Sequence, residues 1–225
     1  MTDDIEIVFL GVNDAGMRVY NWLCERTNVF VRALLTTEEQ LTLIEDTEPD
    51  LVVSCGFRHI VPEQILDIPE MGCLNLHPAY LPYNRGANPN VWSIVEDTPA
   101  GVTLHYMDPT LDTGDIVARR EVEKHFSDTG KDLHQRLEDA QFELFKQTWP
   151  SVAAGNVSTI EQEDGDGTYH RTSDFEELCE LDADETVRTR ELLDRLRALT
   201  FPPYDNARIE VNGDTYYVDI DVRRE

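Results

Sequence analysis

Short apolar runs alternate with amphipathic stretches along the first two thirds of this 225-residue chain. Residues 5–10 read Ile-Glu-Ile-Val-Phe-Leu, which is typical of a buried strand, and a glycine turn and an amphipathic helix follow them. Strands that alternate with helices predict an α/β fold, with a doubly wound, mostly parallel sheet. The further predicted strands are 29–35, 50–55, 72–76, 102–107 and 116–121, and the further predicted helices are 37–46, one beginning at Pro62, and 129–148.

The last third of the chain has a different pattern. A polar, glycine-bearing stretch at 161–168 predicts a linker, and residues 189–199 have helical periodicity. The pair Asn212-Gly213 stands between two β-type runs, and this pair is preferred in the tight turns of β-hairpins. We therefore predict a main domain over residues 1–155 and a small C-terminal extension, with a helix and a β-hairpin, over residues 156–225.

The turn after the first strand has glycines at positions 11 and 16 only. The dinucleotide-binding pattern GxGxxG needs three glycines at closer spacing, so this turn matches it poorly. A tight strand-to-helix turn explains Gly11 and Gly16 better, while a nucleotide-binding module stays open as an alternative.

The charge balance is extreme, with 45 acidic residues against 19 basic ones and a net charge of −26. The acidic residues are dispersed along the chain, and only Lys124, Lys131 and Lys146 are lysines. This pattern is typical of proteins from halophiles, in which high salt screens the repulsion between like charges. Such a surface is poorly suited to a nucleic-acid backbone, which needs clustered Lys and Arg.

The apolar runs are shorter than the roughly 20 residues that span a bilayer. The sequence begins Met-Thr-Asp-Asp without a positively charged leader, so we expect no signal peptide and a cytoplasmic protein. The four cysteines are scattered, without CxxC spacing, so we expect no metal site. Two of them lie in strand-like apolar runs, which predicts buried free thiols in a reducing compartment.

Polar residues that could take part in catalysis or binding are concentrated between positions 57 and 115. Asn75 and His77 end a predicted strand and are two residues apart, so their side chains face the same side. We expect them at the carboxyl edge of the sheet, where open α/β sheets bind ligands. Pro78 ends the strand, and the prolines and glycine at 82–89 predict an irregular loop. Asp112 belongs to an Asp-x-Gly turn, which is expected to lie beside them.

These residues occur together in one order, which resembles the folate-dependent formyltransferase family. The matching segments are Asn75 with His77, Leu81–Gly86, Gly101–His105 and Asp112–Asp115. The resemblance implies a Rossmann-like core and a catalytic trio of Asn75, His77 and Asp112. It implies 10-formyltetrahydrofolate as the co-substrate, held by Phe57, Arg58, His59, Ile60, Val61, Asp108 and Leu111. It also implies that Tyr83, Arg85 and Gly86 bind the acceptor.

The implied chemistry suits these residue types. An amine attacks the formyl carbon, and negative charge develops on the formyl oxygen. The Asn75 amide can donate to that oxygen, while His77 can donate to it or relay the proton that the amine loses. Asp112 would orient His77 or take the proton through a water.

The acceptor is harder to assign, because the family formylates methionyl-tRNA, glycinamide ribonucleotide and the amino sugars of nucleotide sugars. The segments 57–60, 168–174 and 196–204 resemble the sugar branch, so the expected acceptor is a small-molecule amine on a nucleotide sugar. Arg85, and secondarily Arg197, are candidates for its phosphates. The segment 34–48 is short in comparison with the tRNA and purine branches of the family. The chain also leaves little room for the extra domain with which tRNA-formylating enzymes hold their substrate. A homodimer is one assembly that these observations leave open.

Other interpretations remain open. Within the family, a methionyl-tRNA or glycinamide ribonucleotide formyltransferase or a formyltetrahydrofolate hydrolase would use the same residues. A regulatory α/β module is a non-enzymatic alternative, although it leaves the trio unexplained. The triplet Asp112-Thr-Gly also matches aspartic proteases, but their mechanism needs two such carboxylates in an all-β fold.

Overall fold

The computed structural model describes residues 4–11, 13–163, 165 and 167–225. In these residues it contains eleven strands, seven α-helices and a 3-10 helix at Glu38–Leu41. The strands are β1 (Ile5–Leu10), β2 (Val29–Leu35), β3 (Leu51–Cys55), β4 (Cys73–His77), β5 (Arg85–Gly86), β6 (Gly101–Tyr106), β7 (Ile116–Glu121), β8 (Tyr169–His170), β9 (Glu180–Leu181), β10 (Arg208–Val211) and β11 (Asp214–Tyr217). The helices are α1 (Asp14–Cys24), α2 (Thr42–Thr47), α3 (Glu63–Leu66), α4 (Pro89–Val95), α5 (Gly130–Ala153), α6 (Thr172–Cys179) and α7 (Thr189–Leu199).

The chain divides into two compact units, each built from several segments. The first comprises Met1–His77, Val102–Arg120 and Glu138–Asp166. The second comprises Pro78–Gly101, Glu121–Leu137 and Gly167–Glu225. This division follows spatial compactness, whereas the predicted boundary between residues 155 and 156 concerns domains of the sequence and stays a prediction.

A six-stranded sheet in the order β2-β1-β3-β4-β6-β7 organises the first unit. The pairs β1–β2, β1–β3 and β3–β4 are parallel, and β4–β6 is antiparallel. The prediction of a mostly parallel, doubly wound sheet is therefore confirmed. The antiparallel β6 lies next to β4, so the sheet is mixed at the point where Asn75 and His77 are located.

Both faces of this sheet are covered because alternate residues of its strands point to opposite sides. Val8 and Leu10 belong to a buried cluster on one face with residues of β3, the 3-10 helix, α2 and α3. Phe9, between them, contacts Tyr20 of α1, with ring centroids 5.8 Å apart. Trp22 of α1 in turn contacts Phe145 of α5, at 6.0 Å. Apolar side chains are thus buried on both faces of the sheet.

The glycines of the first turn have a packing explanation. Gly11 has a positive φ of 100°, and a Cβ there would collide with the carbonyl oxygen of Cys55. A Cβ on Gly16 would lie 2.6 Å from the same oxygen. Asn13 caps α1, since its Oδ1 accepts from the backbone N–H of Gly16 at 2.8 Å. The close approach of the loop after β3 therefore requires both glycines, as the interpretation of a tight turn predicts.

The segment after Pro78 is more regular than the sequence predicts. Pro89 occupies the first turn of α4, although the prolines of this region predict an irregular loop. Proline is tolerated in a first helical turn because its missing N–H has no intrahelical partner there. The prediction of an irregular loop over 82–89 is therefore wrong at β5 and at Pro89, where α4 begins.

The second unit contains α4, which packs against α7, and two small sheets. One sheet has the strand order β11-β10-β9, and the other pairs β5 with β8 in parallel. The predicted hairpin is confirmed, with Asn212 and Gly213 at its turn, both at positive φ. All four cysteines are free thiols, and Cys55, Cys73 and Cys179 are buried. Across the described parts of the chain, no helix is both long and apolar enough to cross a bilayer.

Candidate functional site

Strand β4 carries Asn75 and His77 at the carboxyl end of the parallel part of the sheet. Asn75 is the register partner of His105 on β6, and His77 is the partner of Thr103. Alternate residues of each strand face the same side, so four polar side chains occupy one face of two neighbouring buried strands. The shared face of Asn75 and His77 agrees with the prediction from their spacing.

The loop after β6 places Asp112. Its backbone is left-handed at Asp112, with φ 57°. The Asp108 carboxylate accepts from the backbone N–H of Thr110 at 2.9 Å and from the Thr113 hydroxyl at 2.7 Å. The side chain of Gln162 donates to the carbonyl oxygens of Asp112, at 3.1 Å, and Gly114, at 2.7 Å. These contacts hold the backbone of the loop on both sides of Asp112.

The Asp112 carboxylate lies beside two imidazole rings. Its Oδ2 is 3.6 Å from His77 Nδ1, and its Oδ1 is 3.6 Å from His105 Nε2. Asp112 is 7% exposed, His77 6% and His105 2%. Asn75 Nδ2 is 3.2 Å from His105 Nε2. The structure therefore brings the predicted trio together, with His105 in contact with both Asn75 and Asp112.

His105 is a site residue for which no role was predicted from the sequence. Its Nδ1 is 2.7 Å from the carbonyl oxygen of Tyr106, an acceptor, so the hydrogen resides on Nδ1. In the neutral ring, Nε2 then accepts from the Asn75 amide. Burial lowers the pKa of His105 below its ordinary value, whereas the Asp112 carboxylate acts to raise it. A buried polar residue within the apolar run of β6 was the available sequence signal.

This geometry assigns the orientation of Asn75. One amide hydrogen of Asn75 is directed at His105 Nε2, which leaves the second for another acceptor. An amide held in this way is a preorganised donor for an oxygen that gains negative charge. The arrangement can thus combine a hydrogen-bond donor with a carboxylate–imidazole pair for proton transfer.

The residues predicted to hold folate lie in two segments of the first unit. Of the segment after β3, Arg58, His59 and Ile60 are exposed, and Ile60 is 71% exposed. Leu111 in the loop before Asp112 is 46% exposed. Both apolar side chains are thus accessible, as a contact with a ligand requires.

The other predicted folate contacts have structural roles of their own. Phe57 packs against the core cluster and against the ring of His59, at 5.2 Å, while Val61 is a member of that cluster. The Asp108 carboxylate organises the loop, as described above. The side chain of Val61 faces the core rather than solvent, so this residue fits a ligand contact less well than Ile60.

The predicted acceptor-binding residues belong to the second unit. Tyr83 is partly buried, and Arg85 and Gly86 form β5. Arg197, a secondary candidate for phosphate binding, is 5% exposed. Its guanidinium binds the Asp194 carboxylate at 2.7 Å and the carbonyl oxygen of Asp128 at 3.1 Å. Arg197 thus has a structural role, which makes it unsuitable for a ligand.

Two family models match this chain. The model described as formyl transferase matches residues 18–148, more than half of the chain. The model described as N-formyltransferase dimerization C-terminal domain matches residues 174–224. The matched regions include all three predicted catalytic residues and the C-terminal hairpin.

Individual formyltransferases are also similar to this chain, one over part of its length and another over nearly all of it. A methionyl-tRNA formyltransferase of Bacillus velezensis is 38% identical over 133 residues, which cover 59% of this chain and 42% of the relative. This chain therefore spans less than half the length of that relative. The crystal structure of a 4-N formyltransferase from Francisella tularensis has a TM-score of 0.88 and 26% identity. That match covers 98% of this chain and 99% of the other.

A third relative was solved with ligands. The formyltransferase PseJ from Anoxybacillus kamchatkensis is in complex with UDP-4,6-dideoxy-4-formamido-L-AltNAc and tetrahydrofolate. It has a TM-score of 0.68 and 35% identity, and the match covers 76% of this chain and 88% of that one. The ligands of this relative are thus a formylated nucleotide sugar and a folate.

Proposed function

This chain belongs to the formyl transferase family, and we propose that it transfers a formyl group from 10-formyltetrahydrofolate to a primary amine on a nucleotide-linked sugar. The observation that carries the acceptor is the likeness of nearly the whole chain to a 4-N formyltransferase, including the C-terminal residues 174–224. PseJ, whose crystallised complex contains a formamido nucleotide sugar, supports the same acceptor class.

The proposed roles follow from the contacts of the first unit. The co-substrate supplies an activated formyl carbon. Asn75, held by His105, donates to the formyl oxygen as charge develops on it. His77 and Asp112, 3.6 Å apart, take the proton that the attacking nitrogen loses and deliver it to the folate nitrogen N10 as the bond between N10 and the formyl carbon breaks. Distances of this kind often shorten when substrate binds, so a separation above hydrogen-bonding range is compatible with proton transfer.

Methionyl-tRNA is a second candidate acceptor, because the relative from Bacillus velezensis is 38% identical. The net charge of −26 opposes it, since a surface with excess negative charge repels the phosphate backbone of tRNA. Halophilic adaptation would produce the same charge with any substrate, so this argument is weaker than the likeness to the 4-N formyltransferase.

The test offers the purified protein 10-formyltetrahydrofolate together with one acceptor at a time. The acceptors are a panel of nucleotide-linked 3- and 4-amino sugars, methionyl-tRNA and glycinamide ribonucleotide, at low and at molar salt. We expect release of tetrahydrofolate with at least one amino sugar and no comparable release with the other two. Preferential formylation of methionyl-tRNA or glycinamide ribonucleotide would overturn the acceptor, and release without any amine would indicate a hydrolase.

We also propose that the protein forms a homodimer through the β10–β11 hairpin. Strand β11 is the last strand in the order β11-β10-β9, so it presents an edge. Tyr216 and Tyr217 on this strand are 52% and 56% exposed. Exposed aromatic residues on a strand edge are typical of protein–protein contacts. The match of residues 174–224 to an N-formyltransferase dimerization domain supports this assembly.

A further inference from the structure

Strand β8 of the second unit is only two residues long, and its two side chains have opposite environments. His170 is 9% exposed and stacks on Trp92 of α4, with ring centroids 3.9 Å apart and an interplanar angle of 7°. Its Nε2 is 3.2 Å from a carboxylate oxygen of Glu96, at ion-pair distance. Tyr169, in contrast, is 50% exposed. The buried His170 thus anchors a strand whose other side chain faces solvent.

The backbone around Tyr169 is fixed by residues 84–87, which include β5 and the residue on either side of it. The Arg85 backbone N–H donates to the carbonyl oxygen of Thr168 at 2.9 Å, and that of Ala87 donates to the carbonyl oxygen of His170 at 2.9 Å. The Asn84 backbone N–H donates to the Thr168 hydroxyl at 2.9 Å. These three hydrogen bonds hold the residues on both sides of Tyr169 and so fix the position of its backbone.

Gly86 allows the ring of Tyr169 to lie close to the two-stranded ribbon that β5 and β8 form. A Cβ at Gly86 would lie 3.0 Å from Cε2 of Tyr169 and would collide with the carbonyl oxygen of His170. Gly86 also has a positive φ of 88°, which other residues rarely adopt. The absence of a side chain at position 86 is therefore needed for the observed position of the ring.

Two arginines accompany Tyr169 on the same side of the ribbon. Arg85 is its register partner, and register partners of neighbouring strands face the same side. Arg171 follows two residues after Tyr169 in extended conformation, with φ −93° and ψ 163°, so its side chain also points to that side. In a protein of net charge −26, an exposed aromatic residue accompanied by two arginines on the same side of the strand pair is a local exception.

We propose that Tyr169 is a specificity-determining residue that stacks on the base of the nucleotide-linked acceptor, with Arg85 and Arg171 at its phosphates. The inference rests on the proposed function, and it extends the acceptor site to a residue that was not predicted from the sequence. A rigid, half-exposed ring offers a face to a flat base at low entropic cost, and guanidinium groups bind phosphate oxygens in bidentate geometry. The two arginines and the ring together match a nucleoside diphosphate.

The direct test measures binding of UDP, dTDP and inorganic pyrophosphate by calorimetry. Tyr169→Ala should weaken binding of UDP or dTDP roughly five- to 150-fold, the range that loss of one base–aromatic stack produces. Pyrophosphate affinity should change less than about twofold, because pyrophosphate has no base. Tyr169→Phe retains the ring and should bind both nucleotides nearly as the wild type does. Tyr204→Ala removes another exposed tyrosine of the same unit, 64% exposed, and should have no effect.

Two outcomes would overturn the inference. One is unchanged UDP and dTDP affinity in Tyr169→Ala, and the other is an equal loss of nucleotide and pyrophosphate binding. Thermal unfolding of each variant checks that the ribbon still folds, and Tyr169→Phe provides a second readout if the alanine variant does not.

Failure of the stacking inference can be distinguished from failure of the proposed function. If the wild type binds the nucleotides but releases no tetrahydrofolate with any amino sugar, formyl transfer to this acceptor class is wrong while stacking stands. If an amino sugar is formylated and Tyr169→Ala leaves its KM unchanged, the stacking role is wrong while the function stands. The inference predicts a raised acceptor KM, with the KM for 10-formyltetrahydrofolate unchanged.

Discussion

At the scale of single residues, the site has one carboxylate beside two histidines. Asp112 presents one oxygen to His77 and the other to His105, each at 3.6 Å. Only His77 was predicted as a partner of Asp112, and that prediction came from the resemblance to the family. His105 reaches the same carboxylate from the neighbouring strand β6. The two histidines have different proposed roles, because His105 also fixes Asn75 whereas His77 takes part in proton transfer.

The first prediction concerns His77 and Asp112. His77→Ala and Asp112→Asn should each lower turnover at least about 100-fold, since each removes a donor or a proton relay from the transition state. Release of tetrahydrofolate under saturating substrates is the measurement, and circular dichroism checks that both variants fold. The exposed His125→Ala is the control, because this residue is 51% exposed by its side chain. Near-normal turnover in either site variant would mean that its role is misassigned.

The second prediction concerns His105 as a positioning residue. His105→Phe keeps an aromatic ring but removes the acceptor for Asn75, so kcat should fall about tenfold, close to the value of one hydrogen bond. The KM for 10-formyltetrahydrofolate should change little. His105→Gln offers an amide oxygen to Asn75 and should retain more activity than the phenylalanine variant. Equal losses in the two variants would indicate a packing role instead.

The pH dependence gives an independent readout for His105. Burial lowers its pKa in the folded protein, so the unfolded chain, with a pKa of about 6.5, takes up the proton first. The contribution of His105 to stability is therefore complete above about pH 6.5 and decreases as the pH falls below it. The difference in unfolding free energy between wild type and His105→Phe should shrink upon acidification, and a constant difference would contradict the lowered pKa.

The residue-level predictions show where sequence reasoning ends. The common face of Asn75 and His77 follows from the two-residue period of a strand, which is a local property. The approach of His105 depends on β6 pairing with β4 in one register, and the sequence does not specify that register by local rules. The resemblance of the segment around Asp112 to the family supplied what periodicity left open.

At the scale of elements, long and strongly patterned segments were predicted well. Strand β2 and helix α7 begin and end where their patterns predict, at Val29–Leu35 and Thr189–Leu199. Helix α5 continues past the predicted end at residue 148 and contains Pro150. The short strands β5, β8 and β9 have two residues each, which is too few for a periodic signal. Tertiary contacts create them, so the ribbon that presents Tyr169 was not predictable from local pattern.

The third prediction belongs to the β10–β11 hairpin. Replacing Tyr216 and Tyr217 together with Asp places two like charges on each copy of the proposed dimer contact, so the protein should become monomeric at micromolar concentration. Sedimentation velocity measures the change in mass. Tyr204→Asp, on an exposed tyrosine outside the hairpin, is the matched control and should leave the assembly unaltered. A wild type that is already monomeric under these conditions would contradict the dimer.

At the scale of the whole molecule, the few lysines are used for internal contacts. Lys124 donates to the carbonyl oxygens of Ser93, at 2.6 Å, and Thr98, at 2.7 Å. Lys131 donates to the carbonyl oxygen of Pro202 at 2.9 Å, and Lys146 pairs with Glu143 at 2.7 Å. The lysines thus contribute local contacts, while the excess of 26 negative charges remains to be screened by solvent ions.

The last prediction is that stability rises with salt. Screening acts over about 10 Å at 0.1 M salt and about 3 Å at 1 M, so dispersed acidic side chains repel each other much less in molar salt. The melting temperature should therefore increase from 0.1 to 2 M KCl. This increase should be larger than the increase caused by uncharged sucrose, which does not screen charges. A variant in which the exposed Glu161, Glu163, Glu176 and Glu177 are changed to Gln removes four of the 26 excess charges and should show a smaller salt dependence. A melting temperature that stays flat over this range would refute the halophilic origin of the acidic composition, because the repulsion would then be too weak to select for screening.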